Sequence, residues 1–201
     1  MSTSTAPARS AGRQRDERTD AALIAAVLDL VSAGATLSGL SFVAIAEHAG
    51  VSRNSLYRRW KIKEALYIDV LASVNRPVPV LAGRSIREDI VKLLSALIER
   101  TLDTRAMHML RALNAESGLF PQLHRRYFDE IVAPRREAML AVLRRGTENG
   151  GISREVDLDL ASDVLVAPIL SRMASGITQD LDPVTTSWRI ADLVFTGLAP
   201  R

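Results

Sequence analysis

The sequence predicts an all-α protein, and three observations carry that expectation. Of its 201 residues, 47 % are hydrophobic but only 4 % aromatic, and leucine, alanine and valine supply most of the apolar surface, a profile that suits helices packed through aliphatic side chains. Apolar residues recur at three- and four-residue spacing, and no repeat or strand-length alternation interrupts them. Helix signals punctuate the chain throughout: Ser41, Ser52, Ser85, Asp157 and Asp182 stand where helices begin, and Gly34, Gly50, Gly118, Gly150 and Gly176 where they end.

Residues 1–18 place Arg9, Arg13, Arg15 and Arg18 among small polar residues. With too few apolar side chains to pack, this stretch is expected to be a disordered basic arm. It is either a flexible tail or an arm that follows a phosphate backbone or enters a minor groove. Asp20 to Ala33 is the first helix, with Leu23, Val27, Leu30 and Val31 on one face and Gly34 as its stop. Ser41 caps a second, in which Phe42, Ile45, Ala46 and Ala49 recur at helical spacing. Gly50 ends it, because only a residue without Cβ turns left-handed cheaply. Ser52 caps a third, from Arg53 to about Trp60, so the spacing alone gives a helix-turn-helix. A fourth helix, Glu64 to about Asn75, buries Leu66, Val70 and Leu71. Pro77 and Pro79 then break the pattern, which puts a domain boundary at about residue 76.

Beyond it, Ser85 and Glu88 form a capping box for a helix to about Leu102. The next runs from about Thr104 to Glu116. A longer stretch from Pro121 to Glu148 is interrupted or kinked at Pro134 and stopped by Asn149-Gly150-Gly151. Asp157 opens a helix to about Ser175 that contains Pro168. Asp182-Pro183 opens the last, N-cap followed by proline at the first helical position.

The third helix carries the chemistry. At about 100° per residue, Leu56 and Trp60 fall on the side that packs against the second helix. Asn54, Ser55 and Arg58 face away, with Arg53 at the leading end and Tyr57 on the flank. From Arg53 to Lys63 the cations Arg53, Arg58, Arg59, Lys61 and Lys63 occur with no acid between them. A helix with a small polar leading end and a basic flank suits the DNA major groove, where side chains read base edges while Arg, Lys and Tyr hold phosphates. The alternative is a solvated basic face on a helical bundle; the glycine turn, the two serine caps and the Leu56/Trp60 pair favour DNA.

The stretch SFVAIAEHAGVSRNSLYRRWKIKEAL (residues 41–66) also resembles the DNA-binding region of the tetracycline-repressor (TetR) family of bacterial regulators. The likeness rests on Ile45-Ala46, Ala49-Gly50-Val51-Ser52, Leu56-Tyr57, Trp60 and Lys63-Glu64-Ala65-Leu66. It implies that Tyr57 and Lys63 contact phosphate and that Arg53, Asn54 and Ser55 face bases; Ser41, Ser52, Arg58 and Lys61 complete the expected DNA-contacting set. Two departures stand out. Lys61-Ile62 replaces a frequent Pro-Ser, which removes the usual serine cap of the next helix, and the loop from Gly34 to Leu40 is slightly longer than usual.

In the last two helices, Leu160, Val164, Leu165, Ile169 and Met173, and Trp188, Ala191 and Phe195, offer broad apolar faces. They either close the monomer core or pair with their own copies in a four-helix interface. The resemblance implies the second, and so does the reading problem: one short helix contacts few base pairs, whereas a two-fold dimer reads a palindrome with helices about 34 Å apart. The resemblance further implies an effector pocket among the middle helices. Met107, Leu110, Phe120, Leu123, Tyr127 and Phe128, with His108, Arg111, Asn114 and His124 interspersed, are the candidates for a small organic ligand. The domains are then the arm (1–18), a helix-turn-helix DNA-binding domain (19–75) and a helical effector-binding and dimerisation domain (76–201). The expected partners are double-stranded palindromic DNA, the effector and a second copy.

Other classes find little support. A net charge of +3 does not make a general polyanion binder, and the absence of cysteine excludes disulfides, thiolate catalysis and Cys-ligated metals. There is no Gly-x-Ser-x-Gly elbow, phosphate-cradling glycine loop or metal-ligand cluster, so neither an enzyme nor a cofactor is expected. No apolar run approaches the roughly 20 residues that span a bilayer, and the N-terminus lacks a signal peptide's apolar core. A cytoplasmic protein, nucleoid-associated when bound to DNA, is the expectation.

Overall fold

The computed structural model describes residues 8–177 and 181–198, with side chains described from Asp16 to Ile177 and from Leu181 to Thr196. Helices α1 (Ala8–Ser32), α2 (Phe42–His48), α3 (Arg53–Arg59), α4 (Lys63–Ser73), α5 (Ile86–Thr101) and α6 (Thr104–Ala115) are followed by α7 (Pro121–Tyr127). A π-turn (Phe128–Val132) leads into α8 (Ala133–Glu148), then α9 (Leu158–Ala174) and α10 (Pro183–Leu198). The described residues contain no strand, and none of their helices is long and apolar enough to cross a membrane.

Helix α1 begins at Ala8, which corrects the expected disordered arm and the expected start at Asp20; residues 1–7 of that arm lie outside the described residues. Low hydrophobicity bars packing, but it does not bar extension of a helix already nucleated by its packed part, where each added residue gains one hydrogen bond. Alanine and arginine favour that extension, and Gly12 opposes it most.

The chain divides into two compact units. One takes the residues up to Val74 together with His108–His124; the other takes Asn75–Met107 and the residues from Arg125 on. The division falls after Val74, close to the proline break, and His108–His124 groups with the first unit rather than with the rest of 76–201. The tie is polar and aromatic. The Glu116 carboxylate accepts the Leu37 and Ser38 amides at 2.6 and 3.0 Å, and Phe120 meets the Tyr67 ring edge-on at 6.1 Å.

In the first unit, α1 packs on α2 and α4, and α2 on α3. Leu23, Val27, Ile45, Leu56, Leu66 and Val70 are fully buried. Gly50 makes the turn from α2 at φ +65°, a conformation L side chains rarely adopt. The missing serine cap at α4 is real: Ile62 precedes the helix with no side-chain bond to its first turn. The Trp60 indole, donating to Asp69 at 2.7 Å, fixes that end instead.

In the second unit, α5, α8, α9 and α10 enclose one core that includes Leu94, Ile98, Val142, Leu143, Leu165 and Ile190. The interruption expected at Pro134 falls one turn earlier. The Ala133 amide bonds to the Phe128 carbonyl, so the backbone widens into a π-turn before the proline that cannot donate. Helix α9 also corrects part of the expected pairing face. Leu165 and Ile169 lie in the monomer core, as does Ala191 of α10, whereas Leu160 (60 %) and Val164 (47 %) are exposed. The positions of that expected face span more than half the helix circumference: Leu165 sits about 140° from Leu160, and Val164 only about 40°. Met173 and Phe195 are half-buried, and Trp188 is exposed.

Candidate nucleic-acid interface

Helix α3 is short, and both its ends are set by side chains. The Ser52 hydroxyl accepts the Ser55 amide at 3.2 Å and lies 2.8 Å from the Ser55 hydroxyl. Ser55 is therefore half-buried against its own cap rather than facing fully outward. At the other end the Lys61 ammonium donates to the Tyr57 carbonyl at 3.1 Å, a cation on an otherwise orphan acceptor. Leu56 and Trp60 are buried, while Arg53, Asn54, Tyr57, Arg58 and Arg59 are exposed, so one face is anchored and the other presented. Tyr57 is held upright by an edge-on contact with Phe42, ring centres 5.2 Å apart. Ser41 caps α2 by accepting the Ala44 amide at 3.1 Å, which leaves its exposed hydroxyl proton free to donate.

The cations of this face are parked on acids outside the stretch read for charge. Arg53 meets Glu47 at 3.0 Å, Arg58 meets Asp16 at 3.0 Å, and Arg59 pairs with Asp20. The Arg53 and Arg58 pairs are more than half exposed on the arginine side, and exposed pairs contribute little to stability. They orient the arginines without holding them tightly. The sequence carried a signal for this in Asp16 and Asp20, which lie four apart on the helix that walls the domain.

Lys63 is engaged elsewhere. Its ammonium donates to the Leu40, Ser38 and Leu37 carbonyls at 2.9, 3.0 and 3.4 Å, which occupies all three of its protons. The Tyr67 hydroxyl adds a fourth bond to the same loop, donating to the Leu37 carbonyl at 2.7 Å. Burial first, then the Glu116 and Glu64 charges, push the Tyr67 phenol well above its ordinary pKa, so it stays a donor. From the opposite side, Glu116 takes two amides of this loop. Burial alone would raise the Glu116 pKa, but the hydroxyl and amide of Ser38, the Leu37 amide and the Lys63 charge together bring it below the ordinary value. In the sequence Glu116 stands only as a helix end.

The residues expected to line an effector pocket divide between the units. In the first, Leu110, Phe120 and Leu123 are buried, His108 and His124 half-buried, and Arg111 and Asn114 exposed. In the second, Met107 and Tyr127 are buried and Phe128 is exposed. Among the described residues no group of three or more His, Asp or Glu is placed to hold a metal.

Comparison with known proteins bears on both parts of the chain. Residues 37–70 match the family described as "Bacterial regulatory proteins, tetR family". Residues 82–188 match "Tetracyclin repressor-like, C-terminal domain". An uncharacterized HTH-type transcriptional regulator, YdeS of Bacillus subtilis (strain 168), is 29 % identical over 163 residues, 81 % of either chain. Among solved structures, the Flavonoid-responsive Regulator FrrA superposes with TM-score 0.69 at 20 % identity, covering 92 % of this chain and 99 % of that one. NalD, the secondary repressor of the MexAB-OprM multidrug efflux pump in Pseudomonas aeruginosa, gives 0.62 at 20 % identity, covering 91 % and 97 %. At such identities the structures establish the fold alone.

Proposed function

This chain belongs to the tetR family of bacterial regulatory proteins, and from that premise we propose that it is a repressor that reads a palindromic operator as a homodimer and is released by a small organic effector. The observation that carries the reading is the division of α3: Leu56 and Trp60 anchor one side, and Arg53, Asn54, Tyr57 and Arg58 stand exposed on the other. Arg53 and Asn54 at the leading end face base edges. Tyr57, Arg58, Lys61 and the hydroxyls of Ser41 and Ser52 hold phosphates, and Ser55 supports the cap beside the bases. Lys63 is assigned to the loop that sets the angle of α2 and not to phosphate, because its donors are already engaged.

Dimerisation uses the exposed side of α9, from Leu160 through Val164, together with the exposed Trp188 of α10; Leu165, Ile169 and Ala191 belong to the core of the unit that carries them. An effector that binds better to the conformation with the wrong spacing of reading helices lowers DNA affinity by its differential affinity for the two states. NalD is described as a repressor, which favours repression, and FrrA as flavonoid-responsive, which favours control by a small molecule.

Selection from random duplexes tests the reading. The selected palindrome is expected to bind at least about a thousandfold more tightly than scrambled duplex at physiological salt; equal affinities would leave only charge attraction. Arg53→Ala is expected to change the preferred base at one position of each half-site, at about 1–3 kcal/mol. A uniform loss across sequences would move Arg53 to the phosphates.

A further inference from the structure

Arginines in the second unit are usually answered by acids. Of the half-buried ones, Arg136 holds Asp159 and Asp163, and Arg145 holds the buried Asp89. Two half-buried guanidiniums break this rule. Arg100 of α5 donates to the Tyr127 hydroxyl and lies 5.9 Å from the centre of that ring. Arg135 of α8 donates to the Ile131 and Arg76 carbonyls and to the Asn75 side-chain oxygen. All of these partners are neutral, and among the described residues neither arginine has a carboxylate within 4 Å. The two cations are also close enough to feel each other: burial first, then the charge of Arg100, push the Arg135 guanidinium below its ordinary pKa, with Tyr127 opposing.

Half-buried like charges without a counter-ion cost free energy that an anion would recover. The guanidinium fork matches a carboxylate in two parallel bonds, and a phenol hydroxyl that already accepts from Arg100 still has its own proton to donate. One helical turn from the arginines lie Leu97 on α5 and Met139 on α8, with Ile131 preceding Arg135 by one turn; Met139 and Ile131 are buried. Helical spacing puts these apolar residues on the same sides of α5 and α8 as the arginines.

We propose that Arg100 and Arg135, with the Tyr127 hydroxyl beside them, seat the carboxylate of a small, mainly apolar organic acid. The inference rests on the reading of this chain as effector-responsive, and it names the chemical class of that effector.

The test uses the full chain without DNA, at constant ionic strength. The probes are butanoate, octanoate, benzoate and phenylacetate, their neutral amides, and inorganic phosphate, each followed by calorimetric titration and thermal shift. Saturable binding and a raised Tm are expected for acids with the longer apolar bodies, with none for the amides. Arg100→Gln is expected to weaken the acid by about tenfold or more. Arg135 also ties down three backbone and side-chain oxygens, so its loss would disturb the fold as well as the seat; Arg100, whose partner among the described residues is Tyr127, is the decisive arm. Acids binding no better than amides, phosphate binding as tightly as the acids, or unchanged acid affinity in Arg100→Gln would each overturn the proposal. None of these outcomes touches operator selection, so the site and the regulator reading fail separately.

Discussion

Glu116 reaches a loop 79 positions earlier in the chain, and it is the carboxylate that takes two amides of the loop whose carbonyls Lys63 and Tyr67 hold. The pH dependence of that contact has a sign. The folded pKa is depressed, so the stabilisation is complete above the ordinary glutamate value of about 4.3 and is lost as pH falls through the folded pKa. Glu116→Gln keeps the shape but places an amide N–H against backbone N–H donors. Its Tm is expected to fall below wild type at neutral pH, with the gap closing as pH drops below about 4; a gap independent of pH would mean that packing, not charge, was lost. A second residue-scale prediction concerns Asp16, which holds Arg58 at 3.0 Å. Asp16→Asn is expected to tighten DNA binding and to steepen its salt dependence by up to about one phosphate charge. An unchanged slope would place Arg58 off the phosphate backbone.

At the scale of elements, α8 is limited by a close approach near its end. A Cβ on Gly146 would stand 2.6 Å from Ile152 Cδ1 and 3.1 Å from Ile86 Cδ1. Alanine is the better helix former by about 1 kcal/mol, but overpacking costs about 1–3 kcal/mol. Gly146→Ala is therefore expected to lower the denaturant midpoint, and a rise would show that Ile152 gives way. Ser52→Ala should cost about 1 kcal/mol through the lost cap of α3 and weaken operator binding further by loosening the reading helix. Such local features were legible in the sequence, since a cap or a glycine turn depends on a few adjacent residues. Ser41, Ser52, Ser85, Asp157 and Asp182 all accept amides at helix starts as their spacing implied. What escaped was set by tertiary partners or by propagation: the Glu116 bridge, the acids parked on Arg58 and Arg59, and the extension of α1 to Ala8. Pro134 announced an interruption, but where the strain was relieved depended on which upstream carbonyl the widened turn could use.

For the whole molecule, the two-fold reading requires a surface that the monomer leaves apolar and exposed, and α9 separates the two demands on one helix. Leu165 is 0 % exposed and Val164 47 %, so adjacent positions report different properties. Leu165→Ala removes core packing and should cost about 2–5 kcal/mol of stability while leaving the exposed face chemically unchanged. Val164→Lys places a charge where the monomer has room for it; helicity is expected to persist while sedimentation shows a shift toward monomer. Preference for the palindrome should then fall about a hundredfold or more, because the second half-site is no longer held at high effective concentration, whereas the weak affinity for scrambled duplex should change little. A Val164→Lys protein that stays dimeric would place the interface elsewhere. One that becomes monomeric yet keeps its full preference would mean that a single α3 carries the specificity, and the argument from the few base pairs one short helix can read would fail with it.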